Sequence, residues 1–324
     1  MKLFITGIEG FVGRHLSKAL IDYNRNSDEK FEICGMYYPK ASIEHLKDYD
    51  FQLSPVDIAD KEAVTDVLGR YQPDYIIHLA GIAFVPHAMK DPFKAWNVNL
   101  HGGLHILEWI RQKSPETRAI IVSTGEVYGA PDSQKDIPYS EKSVLNPANV
   151  YAATKASLDI AARQYNKTWN LDLVIARPYN HIGPWQSENF VVSSFASQIA
   201  KAKAGKTERI IKVGNLSAAR DFTDVRDVVR AYIMMLRDVR PDVYNICSSN
   251  PVKIRYILDK LIEISDFDVE VQVDSSRLRP VDVPVISALH DKLTDECGWQ
   301  PEISLDKTLE DTFHWHYEKI QAES

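Results

Sequence analysis

From Lys2 to about Arg177, short apolar runs alternate with stretches whose apolar residues return every three or four positions. The runs predict strands at Lys2–Thr6, Phe31–Tyr38, near Phe51–Leu53, and at Asp74–Leu79, Arg118–Ser123 and Leu171–Arg177. The intervening periodicity predicts helices over Phe11–Tyr23, Lys61–Tyr71, Pro92–Lys113 and Tyr151–Trp169. Strand and helix taken in turn over such a length imply an α/β chain built on a doubly wound parallel sheet.

Beyond Arg177 the texture changes to long loops and isolated elements: Val191–Lys203, Ile210–Val213, Asp224–Leu236, Val243–Ile246, Lys253–Ile264, Val269–Val273 and a last helix from Leu305. This half reads as a smaller α/β lobe covering the ligand edge of the sheet. A boundary near residue 178 is therefore expected, with 224–246 packing back on the first unit. Repeats, low-complexity tracts and flexible linkers are missing from the sequence.

The 324 residues, 44% of them hydrophobic, suffice for a substantial core without staples. A formal charge of −7 and the lack of a basic run argue against nucleic acid as a partner. Cys34, Cys247 and Cys297 are too scattered for a zinc site and too few for a disulfide framework, so free thiols and no metal are expected. No apolar stretch reaches membrane-spanning length, and the N-terminus runs at once into a glycine turn, so a cytoplasmic protein is expected.

That turn, Thr6-Gly7-Ile8-Glu9-Gly10-Phe11-Val12-Gly13, joins the first strand to the first helix. Glycines there permit a tight bend and let backbone amides reach a pyrophosphate at the helix's positive end. The spacing G-x-x-G-x-x-G after an N-terminal strand points to a Rossmann-type dinucleotide site. An NAD-preferring site usually carries a carboxylate at the end of the second strand, and Met36-Tyr37-Tyr38-Pro39-Lys40 has none. Lys40 and Arg14 tilt the cofactor toward NADP by offering charge to a 2′-phosphate; otherwise both are ordinary solvated cations.

Tyr151 and Lys155 stand four residues apart at the start of a helix, on one face. An ammonium beside a phenol favours phenolate, which would turn Tyr151 into an acid or base usable near neutrality. Such a pair also arises by accident on surfaces. Here, however, Ile120-Ile121-Val122-Ser123-Thr124 runs off a buried strand at the sheet's ligand edge, where the Thr124 hydroxyl can meet a reacting carbonyl.

These segments, with Asp57-Ile58 after a strand, His78-Leu79-Ala80-Gly81, and Asn99 ahead of Gly102-Gly103, resemble the extended short-chain dehydrogenase/reductases over essentially the whole chain. The resemblance implies Tyr151 as proton donor or acceptor, Lys155 as its modulator and nicotinamide-ribose ligand, and Thr124 as partner of the substrate oxygen. It implies that Asp57 and Ile58 flank the adenine and that Leu79, Ala80 and Gly81 line an NADP(H) or NAD(H) cofactor. Asn99 would support a proton relay or the helix that holds the lysine. A homodimer through Pro92–Lys113 and Tyr151–Trp169 is also implied, on likeness alone.

Arg177-Pro178-Tyr179-Asn180-His181-Ile182-Gly183-Pro184, Gly214-Asn215-Leu216, Arg220-Asp221-Phe222-Thr223-Asp224 and Arg279-Pro280-Val281-Asp282 are similar to the GDP-sugar branch: the GDP-6-deoxy-4-keto-mannose reductases and the GDP-mannose 4,6-dehydratases. A GDP-linked hexose is thus the expected substrate. Arg220 and Arg279 can each hold a phosphate bidentately, Asn180 and Asn189 offer amides, Asp282 can accept from the nucleotide ribose, and Val85 and Val192 are candidate pocket walls. Arg220 and Arg279 could instead pair with Asp221 and Asp282 as exposed salt bridges.

The reductase reading is favoured because the segment after Tyr38 is only Pro39-Lys40-Ala41-Ser42, without the arginine- and serine-rich stretch of the dehydratases. The alternative is a GDP-mannose 4,6-dehydratase, or another nucleotide-sugar dehydratase or epimerase with tightly bound NAD(P); dehydration is kept open by Glu126, which follows a side-chain-free Gly125. A non-catalytic dinucleotide sensor is disfavoured by the intact Thr124, Tyr151 and Lys155. Pro86-His87-Ala88 and Trp185 depart from the pattern of relatives, which leaves the sugar open.

Overall fold

The chain lays down strands β1 (Lys2–Thr6), β2 (Glu32–Tyr37), β3 (Gln52–Pro55), β4 (Tyr75–His78), β5 (Arg118–Val122) and β6 (Leu173–Pro178). Between them run helices α1 (Phe11–Asn26), α2 (Lys61–Tyr71), α3 (Val85–Lys90), α4 (Pro92–Trp96), α5 (Gly102–Lys113) and α6 (Val150–Trp169). The second half adds β7 (Asn180–Ile182), α7 (Val191–Lys203), β8 (Ile210–Val213), β9 (Ala219–Arg220), β10 (Phe222–Asp224), α8 (Val225–Met235) and β11 (Val243–Ile246). It ends with β12 (Val252–Lys253), α9 (Ile254–Ser265), β13 (Glu270–Val273), α10 (Asp291–Cys297) and α11 (Leu305–Ala322). This computed structural model describes residues 1–131, 133, 137–277 and 283–323.

One seven-stranded sheet runs β11-β6-β5-β4-β1-β2-β3, every pairing parallel. Its strands read as unbroken apolar runs because both faces are covered. Leu3, Ile5, Ile77, Ile120 and Val174 face one core with Leu16 and Leu20 of α1 and Val228 and Tyr232 of α8. Phe4, Ile76, Ile121 and Ile175 face the other, with Val67 of α2, Ile106 of α5 and Leu158 of α6. The doubly wound sheet expected from the pattern is therefore present.

Two buried charges tie α6 to β6. Arg177 Nε and Nη2 donate to Asp159 Oδ2 and Oδ1 at 2.8 and 2.9 Å. Breaking such a sealed pair by removing one partner costs about 3–5 kcal/mol.

The remaining elements build a third core, in which Phe195 and Ile199 of α7 meet Ile257 and Leu261 of α9 and Leu309 and Phe313 of α11. Not all of the second half joins this lobe. Helix α8 lies against α1, and β11 pairs with β6 as the seventh strand.

Two predicted features differ. The single helix expected over Pro92–Lys113 is α4 and α5 joined by a π-helical turn, Asn97–His101. Residues Val85–Lys90, to which the pattern assigns no element, form α3, with Pro86 in its first turn, where the lost N–H has no intrahelical acceptor to satisfy.

Candidate active site

The strand order reverses between β1 and β4, which opens a crevice at their C-terminal ends. The glycine turn sits at its mouth. Gly7 adopts φ +68°, and a Cβ there would stand 2.8 Å from the Ala80 nitrogen, so the turn packs directly on the segment after β4. At Gly10 a Cβ would meet only the Gly7 oxygen, at 3.3 Å.

Helix α1 begins at Gly10 with no side-chain cap. The N–H groups of Phe11, Val12 and Gly13 therefore keep the capacity to hold an anion. A glycine-flanked turn, an uncapped helix and a close approach of the β4 loop fit a dinucleotide pyrophosphate.

On the far side of the crevice, β5 ends at Val122 and the chain turns sharply through Gly125–Tyr128. Thr124 Oγ1 accepts the Glu126 N–H at 3.3 Å, which fixes its hydroxyl at the strand tip. Asn149 caps α6 by accepting the Ala152 N–H at 2.9 Å and so aims the first helical turn. Tyr151, half-buried in that turn, shares a side-chain hydrogen bond with Thr124. Asn149 Nδ2 also donates to Glu126 Oε2 at 2.9 Å, holding the carboxylate near the phenol.

The electrostatics depart from the helix-spacing argument. Burial raises the Tyr151 pKa, the Glu126 charge raises it further, and the Thr124 hydrogen bond only partly opposes them. Lys155 is 5% exposed, and its Nζ donates to the Val122 carbonyl at 2.5 Å rather than to the phenol. Burial lowers its own pKa to about 8. Tyr151 therefore holds its proton firmly, and the expected acidification by Lys155 is not seen in this arrangement.

Asn99, fully buried in the π-helical turn, connects the two halves of the crevice. Its Oδ1 accepts the Ile82 N–H at 2.7 Å, and its Nδ2 donates to the Ile82 carbonyl at 3.2 Å and to Thr154 Oγ1 at 2.9 Å. A π-turn projects one extra residue at a functional position. Here that residue ties the segment after β4 to α6.

Leu79 and Ala80 are anchored by Thr6, whose carbonyl and Oγ1 accept their N–H groups at 3.2 and 3.1 Å. A Cβ at Gly81 would lie 3.1 Å from Asn99 Oδ1 and 3.7 Å from Lys155 Nζ, which places this loop beside the candidate lysine. Asp57 accepts the Ala59 N–H at 3.0 Å, and Ile58 is nearly buried against Gly102. Tyr37 closes β2, and Lys40 is exposed beyond it.

The substrate candidates are less uniformly gathered. Val85 opens α3 half-buried; Asn180 is exposed, with its amide donating to the Asp221 carbonyl at 3.0 Å; Asn189 is exposed before α7. Val192 is fully buried in the lobe core, so its side chain cannot line a pocket, which corrects that reading. Arg220 Nη1 donates to the carbonyls of Ala219 and Val283 at 2.8 and 2.7 Å. Arg279 and Asp282 lie outside the described residues.

Trp185 takes φ +71°, the left-handed region that favours glycine, and the Arg14 guanidinium lies 4.1 Å over its ring. Beside it, His15 Nε2 lies 2.9 Å from the Pro184 oxygen, and Phe11 stacks on His181 at 6.1 Å. The segment 181–185 thus clasps the first turns of α1. The sequence marks Trp185 only as a departure from the pattern of relatives, because a contact with a segment so distant along the chain leaves no local signal.

A family model described as GDP-mannose 4,6 dehydratase matches residues 4–312. The chain belongs to this family. It is 33% identical over 309 residues to the GDP-6-deoxy-D-mannose reductase of Pseudomonas aeruginosa, covering 95% of this chain and 94% of that one. The structure of RMD from Pseudomonas aeruginosa complexed with NADPH superposes with a TM-score of 0.82 at 31% identity, over 98% of this chain and 99% of that one. Thermus thermophilus UDP-glucose 4-epimerase in complex with NAD gives 0.84 at 26% identity, over 98% and 99%. The chain accordingly shares the fold of the NAD(P)-dependent short-chain dehydrogenase/reductases. Among the described residues no helix is long and apolar enough to cross a membrane, and no His/Cys/Asp/Glu cluster could hold a metal.

Proposed function

We propose that this chain reduces a GDP-linked 4-keto-6-deoxyhexose to a GDP-6-deoxyhexose such as GDP-rhamnose. The observation that carries this choice over dehydration is the 33% identity to the GDP-6-deoxy-D-mannose reductase of Pseudomonas aeruginosa across 95% of this chain. A Cβ at Gly125 would stand 2.6 Å from the Tyr179 ring, so of the two positions after Thr124 only Glu126 offers an acid/base group.

When bound, the reduced nicotinamide supplies hydride to C4 of the sugar. Thr124 and Tyr151 share a hydrogen bond, so one oxygen placed between them can be held by both hydroxyls. Reduction needs a phenol that starts protonated, and burial together with the Glu126 charge keeps the proton on Tyr151. As negative charge grows on the C4 oxygen, Tyr151 hands over that proton. The Lys155 ammonium, one helical turn on, offsets the phenolate left behind.

In this reading residues 1–178 with 224–246 form the cofactor body, and the rest of 179–324 holds the nucleotide sugar. Its phosphates fall to Arg220 and Arg279, with Asn180, Asn189, Asp282 and Val85 around the sugar and ribose. A homodimer is proposed through the surface of α3, α4 and α6, which lie together and leave Met89, Phe93 and Ile160 exposed.

Dehydration of GDP-mannose is the second reading, favoured by Glu126, whose carboxylate Asn149 holds near Tyr151. The two separate in one assay. The protein is incubated with GDP-mannose alone, and with GDP-4-keto-6-deoxymannose plus reduced dinucleotide, while absorbance and products are followed. Dinucleotide oxidation in the second mixture only is expected; keto-sugar formation in the first overturns the reductase assignment.

A further inference from the structure

The end of β2 lacks a carboxylate of its own, yet the fold brings one there from the glycine turn. Glu9 lies between Gly7 and Gly10, and its Oε1 accepts the backbone N–H of Tyr38, the first residue past β2, at 2.9 Å. Its Oε2 is buried without a hydrogen-bond partner. No lysine, arginine or histidine among the described residues pairs with this carboxylate, and burial raises its pKa against the pull of two backbone donors.

The cations that the sequence offered to a 2′-phosphate are placed less favourably than their spacing suggested. Arg14 stacks over Trp185, and Lys40 is exposed three residues beyond β2. A ribose hydroxyl can donate to a carboxylate, whereas a phosphate presents only negative charge and acceptors at neutral pH. Partial burial leaves that repulsion poorly screened by salt.

We propose that Glu9 sets the dinucleotide preference: its carboxylate stands in for the missing strand-end acid, accepts from the adenosine ribose, opposes a 2′-phosphate and makes the enzyme prefer NAD(H) over NADP(H). This rests on the dinucleotide-dependent reading above and sets the chain apart from the NADPH-complexed Pseudomonas structure it is similar to.

The test is direct binding, with dissociation constants of NADH and NADPH measured calorimetrically on the wild-type protein, Glu9→Gln and Glu9→Ser. Wild type should bind NADH at least tenfold more tightly. Glu9→Gln keeps an oxygen for the Tyr38 N–H but removes the charge, and should shift the ratio at least tenfold toward NADPH, mainly by tightening NADPH. Glu9→Ser should move it the same way, and thermal melts identify a variant that fails to fold. A wild type that prefers NADPH, or folded variants whose ratio stays within twofold of wild type, overturns the proposal. Binding of neither dinucleotide to wild type sinks the dinucleotide reading itself, and this inference with it.

Discussion

Lys155 Nζ donates to the carbonyl of Val122, the last residue of the strand that delivers Thr124. The amine is buried, and its pKa is lowered to about 8 from an unfolded value of about 10.4. Between those values the unfolded chain binds more protons, so this group's contribution to stability rises with pH. The cost of the buried ammonium is full below pH 8. Lys155→Met should therefore be more stable than wild type at pH 7, by up to about 3 kcal/mol less about 1 for the lost hydrogen bond. Urea unfolding at pH 7 and 10.5 measures the gain, which should shrink toward the higher pH. The variant should also be inactive, and wild-type kcat/KM should fall as pH rises past about 8.

Tyr151→Phe removes the transferable proton and little else. Turnover should drop about 100- to 10,000-fold while the dinucleotide dissociation constant stays within about twofold. Undiminished turnover in stopped assays would remove Tyr151 from the mechanism.

Gly125→Ala sets a methyl group against the Tyr179 ring. Relief requires the turn after β5 to move, and Thr124 with it. A destabilisation of about 1–3 kcal/mol is expected, with kcat down about 10- to 100-fold and dinucleotide affinity unchanged. Steady-state kinetics beside a urea melt separate the two effects.

Asn99→Ala would strand the N–H and carbonyl of Ile82 in a part-buried site and take one of the two partners of the Thr154 hydroxyl, which keeps its bond to the Tyr151 carbonyl. A loss of about 2–4 kcal/mol follows from leaving such groups unpaired. The same urea series reads it, and a loss below 1 kcal/mol would show that the link between the β4 loop and α6 is dispensable.

Phe93 is 89% exposed on α4. If α3, α4 and α6 meet their counterparts in a second copy, Phe93→Asp should convert the dimer to monomer in sedimentation equilibrium with the monomer's fold intact by circular dichroism. An unchanged mass would place the interface elsewhere.

Much of this architecture was legible in the chain because parallel strands covered on both faces read as continuous apolar runs, and β1, α2, α7, β8 and β11 fall where the pattern put them. Short elements were not. Helix α3 spans six residues, too few to display a period, and the π-turn at Asn97–His101 looks like ordinary helix in one dimension. The candidate acid/base pair was visible as a helix-spaced Tyr151 and Lys155, but the direction in which Lys155 points was not, since a backbone carbonyl such as Val122's leaves no sequence trace. Glu9 was in plain view within the glycine turn. A search confined to the end of β2 passes over it, because the contact with Tyr38 joins residues 29 apart.

Strand β11 carries a consequence for how this enzyme can be cut and rebuilt. A fragment ending at Pro178 would expose the edge of β6 and strip α8 from the flank of α1, leaving bare apolar surface and an unpaired ladder that invites aggregation. Transplanting a different sugar specificity from a relative therefore calls for two splice segments, one on either side of residues 224–246, rather than a single junction.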